Sequence, residues 1–136
     1  MIAAAQIQDG EKVFDLGCGD GSILLDVLSE KKVDAVGIEG SWIVFQLAKL
    51  RRYLSNKPLK IIHQNIFSTS IAEANVVFCY LWPSVMQRLK EKFEKELKPG
   101  SRVVSYCFPI TAWEPQRRIP TRKDKPNRFL IYLYQR

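Results

Sequence analysis

The sequence is poor in the residues that most often carry reaction chemistry. It holds one histidine, His63, and three cysteines, Cys18, Cys79 and Cys107, among 136 residues. The odd count and wide spacing of the cysteines fit neither a disulfide framework nor a metal cluster. They read as reduced, mostly buried thiols. His63 closes a short apolar run, "LKIIH", and reads as structural rather than catalytic. No apolar stretch approaches the ~20 residues of a membrane span. The start, "MIAAAQIQDG", lacks the basic and long apolar regions of a signal peptide, so a cytoplasmic location is expected. No repeat, low-complexity tract or linker divides the chain, and its length suits one domain over residues 1–136.

A hydrophobic fraction of 46% supports a real core. Net charge is +7. Much of it lies late, where Arg117, Arg118, Arg122, Lys123, Lys125 and Arg128 face only Glu114 and Asp124. Such a run can attract nucleic acid or an acidic protein face, although its ordinary role is a solvated loop.

Strand and helix patterns alternate along the chain. "KVFDL" (12–16) is a short apolar run that ends at glycines. "SILLDVLSE" (22–30) spaces Ile23, Leu24, Val27 and Leu28 as a helix does. "DAVGIE" (34–39) reads as a second strand. Ser41 can cap a helix in which Ile43, Leu47, Leu50 and Leu54 fall at i, i+4, i+7 and i+11. "LKIIH" (59–63) and "NVVFCYL" (75–81) are the third and fourth strands. Pro83 suits the first turn of a helix reaching Leu97, with Val85, Met86, Leu89, Phe93 and Leu97 inside. Glu91 with Lys95 and Glu94 with Lys98 are candidate i,i+4 pairs on its outer face. "RVVSYC" (102–107) is the fifth strand. A loop with four prolines follows, and "RFLIYLYQR" (128–136) is the last strand. Alternation with short connections predicts a parallel sheet with helices on both faces. The early strands are continuous apolar runs, as strands buried on both faces require.

The most informative stretch is "VFDLGCGDGSILLDVL" (13–28). Gly17, Gly19 and Gly21 free the backbone between a strand and a helix, where open parallel sheets bind ligands. The helix that follows would aim free N–H groups at an anion. A dinucleotide fingerprint would place its third glycine one residue later, where Ser22 stands. Asp20 adds a negative charge that a pyrophosphate would not welcome. The spacing favours S-adenosylmethionine, whose amino-acid end carries both a cation and a carboxylate. Glu39, closing the second strand, can accept hydrogen bonds from both ribose hydroxyls.

"DLGCGDG" resembles motif I of the class I S-adenosylmethionine-dependent methyltransferases, and "VGIE" resembles the end of their second strand. "YLWPSVMQRLKEKFEKELKPGSRVVSYCFPITAWEP" (80–115), which includes Trp113, is similar to the small protein-lysine methyltransferases that act on ATP synthase c-subunit or adenine nucleotide translocase. The resemblance spans about residues 5 to 115. It implies one Rossmann-like class I methyltransferase domain with a mostly parallel twisted sheet. The expected order is 3-2-1-4-5, plus one antiparallel strand at the edge beside the fifth. It implies that Asp15, Gly17, Cys18, Gly19, Asp20 and Gly21 surround the methionine part of the cofactor. Glu39 and Gly40 would hold the ribose side. Asn65, where the family more often has Asp, and Ile66 would border the adenine. Tyr80, Leu81, Trp82 and Pro83 would line the methyl-transfer site, with Tyr80 also touching the cofactor and Tyr80 and Trp82 the candidate catalytic residues. "YLWP" departs from the Asp/Asn-Pro-Pro-Tyr/Phe pattern of enzymes that methylate base amino groups.

The resulting expectation is methyl transfer to a protein lysine, with S-adenosylhomocysteine as the product. In-line displacement needs alignment more than a nucleophilic side chain, so the absence of a Ser-His-Asp set is no obstacle. Two alternatives stand beside it. One is a small-molecule or RNA methyltransferase, supported by the basic loop at 116–128. The other is a non-catalytic S-adenosylmethionine-binding domain, supported by the short segment before the first strand.

Overall fold

The computed structural model describes residues 1–122, 124, 125 and 128–136. The elements run α1 (Ile2–Ala5), β1 (Lys12–Leu16), α2 (Ser22–Glu30), β2 (Asp34–Glu39), α3 (Trp42–Ser55), β3 (Lys60–His63) and β4 (Val76–Cys79). Then come α4 (Pro83–Glu96), β5 (Arg102–Tyr106), β6 (Arg117–Pro120) and β7 (Leu130–Gln135). They form one sheet in the order β3-β2-β1-β4-β5-β7-β6. β1 to β5 are parallel, and β7 lies antiparallel against β5, with Tyr106 opposite Ile131. The mostly parallel sheet and the antiparallel strand beside the fifth are as expected from the sequence.

β6 is an addition. It pairs antiparallel with β7 and takes the outer edge, within a segment that reads as a basic loop. Charged residues and a closing proline disguise a strand in sequence, yet they are normal at a sheet edge. Arg118 pairs there with Glu114, and Arg122 with Asp124. Lys123, part of the same basic run, lies outside the described residues.

Two apolar layers cover the sheet. Phe14, Leu16, Val36, Ile38, Val77 and Val103 face α4, whose Met86, Leu89 and Phe93 are fully buried. Val13, Ala35, Val76, Phe78 and Val104 pack with Leu24 and Val27 of α2 on the opposite face. The strand residues alternate between layers, as a twofold side-chain period demands. Arg102 fastens the amino-terminal turn by donating to the carbonyls of Ala5 and Gln6, each at 2.8 Å, and by pairing with Glu11.

The ion pairs expected on α4 are revised, and the apolar stripe of α3 acquires a direction. On α4 the ion pairs formed are Lys90–Glu94 and Lys92–Glu96, not Glu91–Lys95 or Glu94–Lys98. Glu96 is committed inward because it also accepts the Ile71 amide at 2.9 Å, and it draws Lys92 with it. On α3 the stripe Ile43, Leu47, Leu50 and Leu54 does not face the sheet. All four are more than half exposed, while Ala48 is buried and Val44 and Phe45 are half-buried.

Gly37, in the middle of β2, marks how tightly α2 seats on the sheet. A Cβ there would lie 2.7 Å from Cys18 Sγ and 3.3 Å from Leu24 Cδ1. Replacing a strand glycine by alanine is otherwise favourable by roughly 0.5–1 kcal/mol. Here overpacking reverses the sign. Gly37→Ala is expected to destabilise by about 1–3 kcal/mol in urea titration. Adding Cys18→Ala is expected to recover most of that loss.

Candidate functional site

The crevice opens where β1 has β2 on one side and β4 on the other. The chain leaves β1 toward β2 and later crosses back to β4, so the connections diverge above the strand ends. Gly17 and Gly19 line this point with φ of 73° and 57°. The Gly17 and Cys18 amides both donate to the Ile38 carbonyl, at 2.9 and 3.0 Å, which folds the turn back onto β2. A Cβ on Gly19 would meet nothing within 4 Å, so that position faces open space.

Glu39 organises the turn. Its carboxylate accepts the Gly19 amide at 3.0 Å and the Ser41 amide at 2.8 Å. One side chain thus ties the glycine turn to the start of α3. Ser41 occupies the N-cap position of α3, but its hydroxyl makes no capping hydrogen bond. Gly17, Glu39, Gly40, Asn65, Ile66 and Leu81 enclose a cleft of about 320 Å³. Asn65 Oδ1 accepts the Phe67 amide at 2.9 Å, which shapes the loop and uses one of its two lone pairs.

Asp15 lies beneath this turn and is 4% exposed. No hydrogen bond or ion pair to a described residue contributes to its pKa. Burial, and the nearby charge of Glu39, push its pKa from 3.8 up to about 7. No described cation neutralises it. A buried carboxyl in that condition is suited to a ligand's positive charge.

Three other residues of the turn have structural partners. Cys18 is buried against Gly37, and desolvation, reinforced by Asp15 and Glu39, pushes its thiol up to about 12. Gly21 caps α2 and sits against Leu59. Asp20 accepts the Ser22 amide at 3.1 Å and pairs with Arg51 of α3. Partial burial raises the Asp20 pKa, but the Ser22 amide and the Arg51 guanidinium outweigh it and hold it below its ordinary value. The α2 terminus, expected to meet a ligand anion, therefore meets Asp20 in part.

A second, more apolar cleft of about 260 Å³ is lined by Tyr80, Leu81, Trp82 and Phe108. The two clefts share Leu81, which is the wall between them. A Cβ on Gly17 would come within 2.8 Å of Leu81 Cδ2, so only glycine lets that wall stand there. Tyr80 borders the aromatic cleft rather than the Glu39 cleft. Its ring stacks on Phe108 at 6.3 Å and tilts against Tyr106 at 5.1 Å, and Trp82 stacks on Phe108 at 6.1 Å. Tyr80 and Trp82 are 57% and 74% exposed, so their free faces are presented at the cleft. Trp82 also sets the N-cap of α4, just before Pro83. Phe108 is the residue the sequence analysis missed. It follows Cys107, whose φ is 64°, and this bend at the end of β5 is what brings the ring over Tyr80.

Of the other residues considered, His63 is structural. Its Nε2 is 3.1 Å from the Gly40 carbonyl, and its ring packs against Trp42 and Phe45. Trp113 packs on Tyr134 and Phe93, away from both clefts.

Comparisons with known proteins agree with this geometry. The sequence model of the ANTKMT methyltransferase domain matches residues 15–117. The chain is 37% identical to a protein-lysine N-methyltransferase of Saccharolobus islandicus, over 98% of this chain and 84% of that protein. It is 35% identical to the adenine nucleotide translocase lysine N-methyltransferase of Mus musculus, over 76% of this chain and 46% of that protein. The chain thus spans about half the length of this mouse relative. Among solved structures, an RNA methyltransferase from Salinibacter ruber in complex with S-adenosyl-L-homocysteine superposes with a TM-score of 0.91. Identity to it is 27%, over 98% of this chain and 86% of that one. The match over residues 15–117, the sheet order and the crevice above β1 together make this chain a member of the ANTKMT methyltransferase domain family, class I enzymes whose methyl donor is S-adenosylmethionine.

Proposed function

We propose that the protein transfers a methyl group to a lysine amine of a protein substrate, and that the paired clefts divide the work. The observation that carries the proposal is the juxtaposition itself. A cleft bordered by the Glu39 carboxylate, with the buried Asp15 carboxyl near it, adjoins an aromatic cleft, and one leucine lines both. The relatives named as lysine methyltransferases supply the substrate class.

When bound, S-adenosylmethionine supplies an electrophilic methyl group beside a positive charge. Asp15 is placed to compensate positive charge at the methionine end. Glu39 can exchange one of its backbone partners for the ribose hydroxyls. Gly17 and Gly19 leave room for a close backbone approach, Gly40 borders the same ribose side, and Asn65 and Ile66 edge the adenine. Cys18, Asp20 and Gly21 act by holding the turn rather than by touching the donor.

On the acceptor side, Tyr80, Trp82 and Phe108 offer the approaching amine an aromatic, weakly polar wall. A lysine begins protonated, with an ordinary pKa of about 10.4. An apolar aromatic wall disfavours its charged form and lowers that pKa, so the proton can leave to solvent before attack. The ring faces of Tyr80 and Trp82 also attract the cation on its way in. Alignment of the amine with the donor then supplies most of the acceleration, worth up to ~7–11 kcal/mol.

A second reading is transfer to RNA. It is favoured by the likeness to the Salinibacter ruber RNA methyltransferase and by the exposed arginines of β6. Labelled donor offered separately to a lysine-rich protein and to transcribed RNA separates the two. Label in protein, lost when the lysines are acetylated beforehand, is expected. Label only in RNA would overturn the lysine reading.

Three variants test the site. Glu39→Ala is expected to weaken donor binding by about 1–3 kcal/mol in calorimetry, through lost charge-assisted hydrogen bonds. Trp82→Ala is expected to lower transfer at least tenfold while leaving the donor dissociation constant within about twofold. Asp15→Asn separates stability from binding. The wild-type carboxyl holds its proton to about pH 7 when folded but loses it near pH 3.8 when unfolded. Its contribution therefore falls as pH rises from about 4 to 7, by up to about 4 kcal/mol, and stays low above that. At pH 8, Asp15→Asn is expected to melt at a higher temperature than the wild type, yet to bind the donor roughly 10–100-fold more weakly.

A further inference from the structure

α3 turns its apolar side away from the protein. Trp42, Ile43, Leu47, Leu50, Tyr53 and Leu54 are each 54–81% exposed. At 100° per residue they fill an arc about 140° wide that only Gln46 interrupts. The inner side of the helix seats on β2 and β3 through Val44, Phe45 and Ala48, so this arc is not a misplaced core face. Isolated exposed leucines need no explanation, but a continuous arc of six large side chains does.

The charge carried by this stretch of chain is of one sign. From residue 40 to residue 72 the chain has five cations, Lys49, Arg51, Arg52, Lys57 and Lys60, and no acid. Lys49 borders one edge of the arc, and Arg51, paired with Asp20, borders the other. Trp42 and Tyr53 lie along the Lys49 edge. Aromatic residues beside cations at the rim of an apolar stripe are the pattern that suits a membrane interface, where rings sit at headgroup depth.

A second copy of the chain fits this surface less well. Lys49 lies near the middle of the helix, so a twofold contact of α3 on α3 would set this cation close to its own copy. A convex single-helix stripe with a cationic rim has its complement in a lipid surface that is apolar within and negative at the headgroups.

We propose that α3 docks the protein on anionic bilayer surfaces, inserting the Trp42–Leu54 stripe while the flanking cations meet lipid phosphates. The stripe starts three residues after Glu39, so docking holds the rim of the cofactor cleft beside the lipid. Acceptors carried on or near a membrane would then be presented at short range. The docking surface stands independently of the lysine reading.

The test is co-sedimentation of the full chain with vesicles of phosphatidylcholine alone and with phosphatidylcholine containing phosphatidylglycerol. Binding to the anionic vesicles only is expected, weakening as salt is raised. Lys49→Glu is expected to weaken it several-fold. Leu47→Gln with Leu50→Gln is expected to reduce it at least tenfold, while circular dichroism stays unchanged because both positions are exposed. Three results would overturn the proposal. One is wild-type protein left in the supernatant with anionic vesicles. Another is undiminished binding by the double leucine variant, which would place the contact elsewhere. The third is a dimer in light scattering that the same variant dissociates, which would make a second copy the occupant.

Discussion

The site depends on an uncompensated carboxyl. Asp15 is buried at the end of β1, near Glu39, and no described side chain offers it a proton donor or a positive charge. Burying such a group costs stability unless the group stays protonated, and its raised pKa is the form that cost takes. A chain selected only for stability would place an apolar residue there. The retained carboxyl lies near the open space at Gly19 and the doubly bonded Glu39, at the point where the strand connections diverge. The fold supplies the crevice, and its two acids specify the charge of what fits.

The second half of the site is built from a different material. Tyr80, Trp82 and Phe108 form a stacked row at the carboxyl ends of β4 and β5. They adjoin the Glu39 cleft at Leu81, which lines both spaces. Polar and apolar halves meeting at one side chain suit a reaction in which a charged donor must be met by a neutral amine. Leu81 occupies the space that a side chain at Gly17 would take, so the glycine turn and the wall are neighbours.

Much of this is legible in the sequence, for reasons that differ by element. β1, β2 and α2 are plain because the strands are continuous apolar runs and the turn between them needs positive φ at several glycines. Glu39 is findable because it closes β2, at a place fixed by the strand length. Its hydrogen bond to Gly19 is not, since that contact joins residues 20 apart through a fold that spacing alone cannot close. β6 is hidden because an edge strand can carry arginines and a proline without loss. Phe108 is hidden because its position over Tyr80 follows from a left-handed bend at Cys107, a residue type that does not announce one. The apolar spacing of α3 is readable, but periodicity gives the existence of a face and not its direction. Only the fold reveals that this one points outward.

The most direct measurement is calorimetric titration with S-adenosylmethionine in buffers of different ionisation enthalpy, at about pH 6.5 and again at about pH 8.5, on the wild type and on Asp15→Asn. A carboxyl that holds its proton to about pH 7 in the free protein must give it up when a cation settles beside it. Saturable binding is expected to release a large fraction of one proton at the lower pH and little at the higher, and the release at the lower pH is expected to vanish in Asp15→Asn. Binding with the same proton count in both proteins would contradict the placement of the donor's cation at Asp15. No saturable binding would contradict the assignment of the cleft.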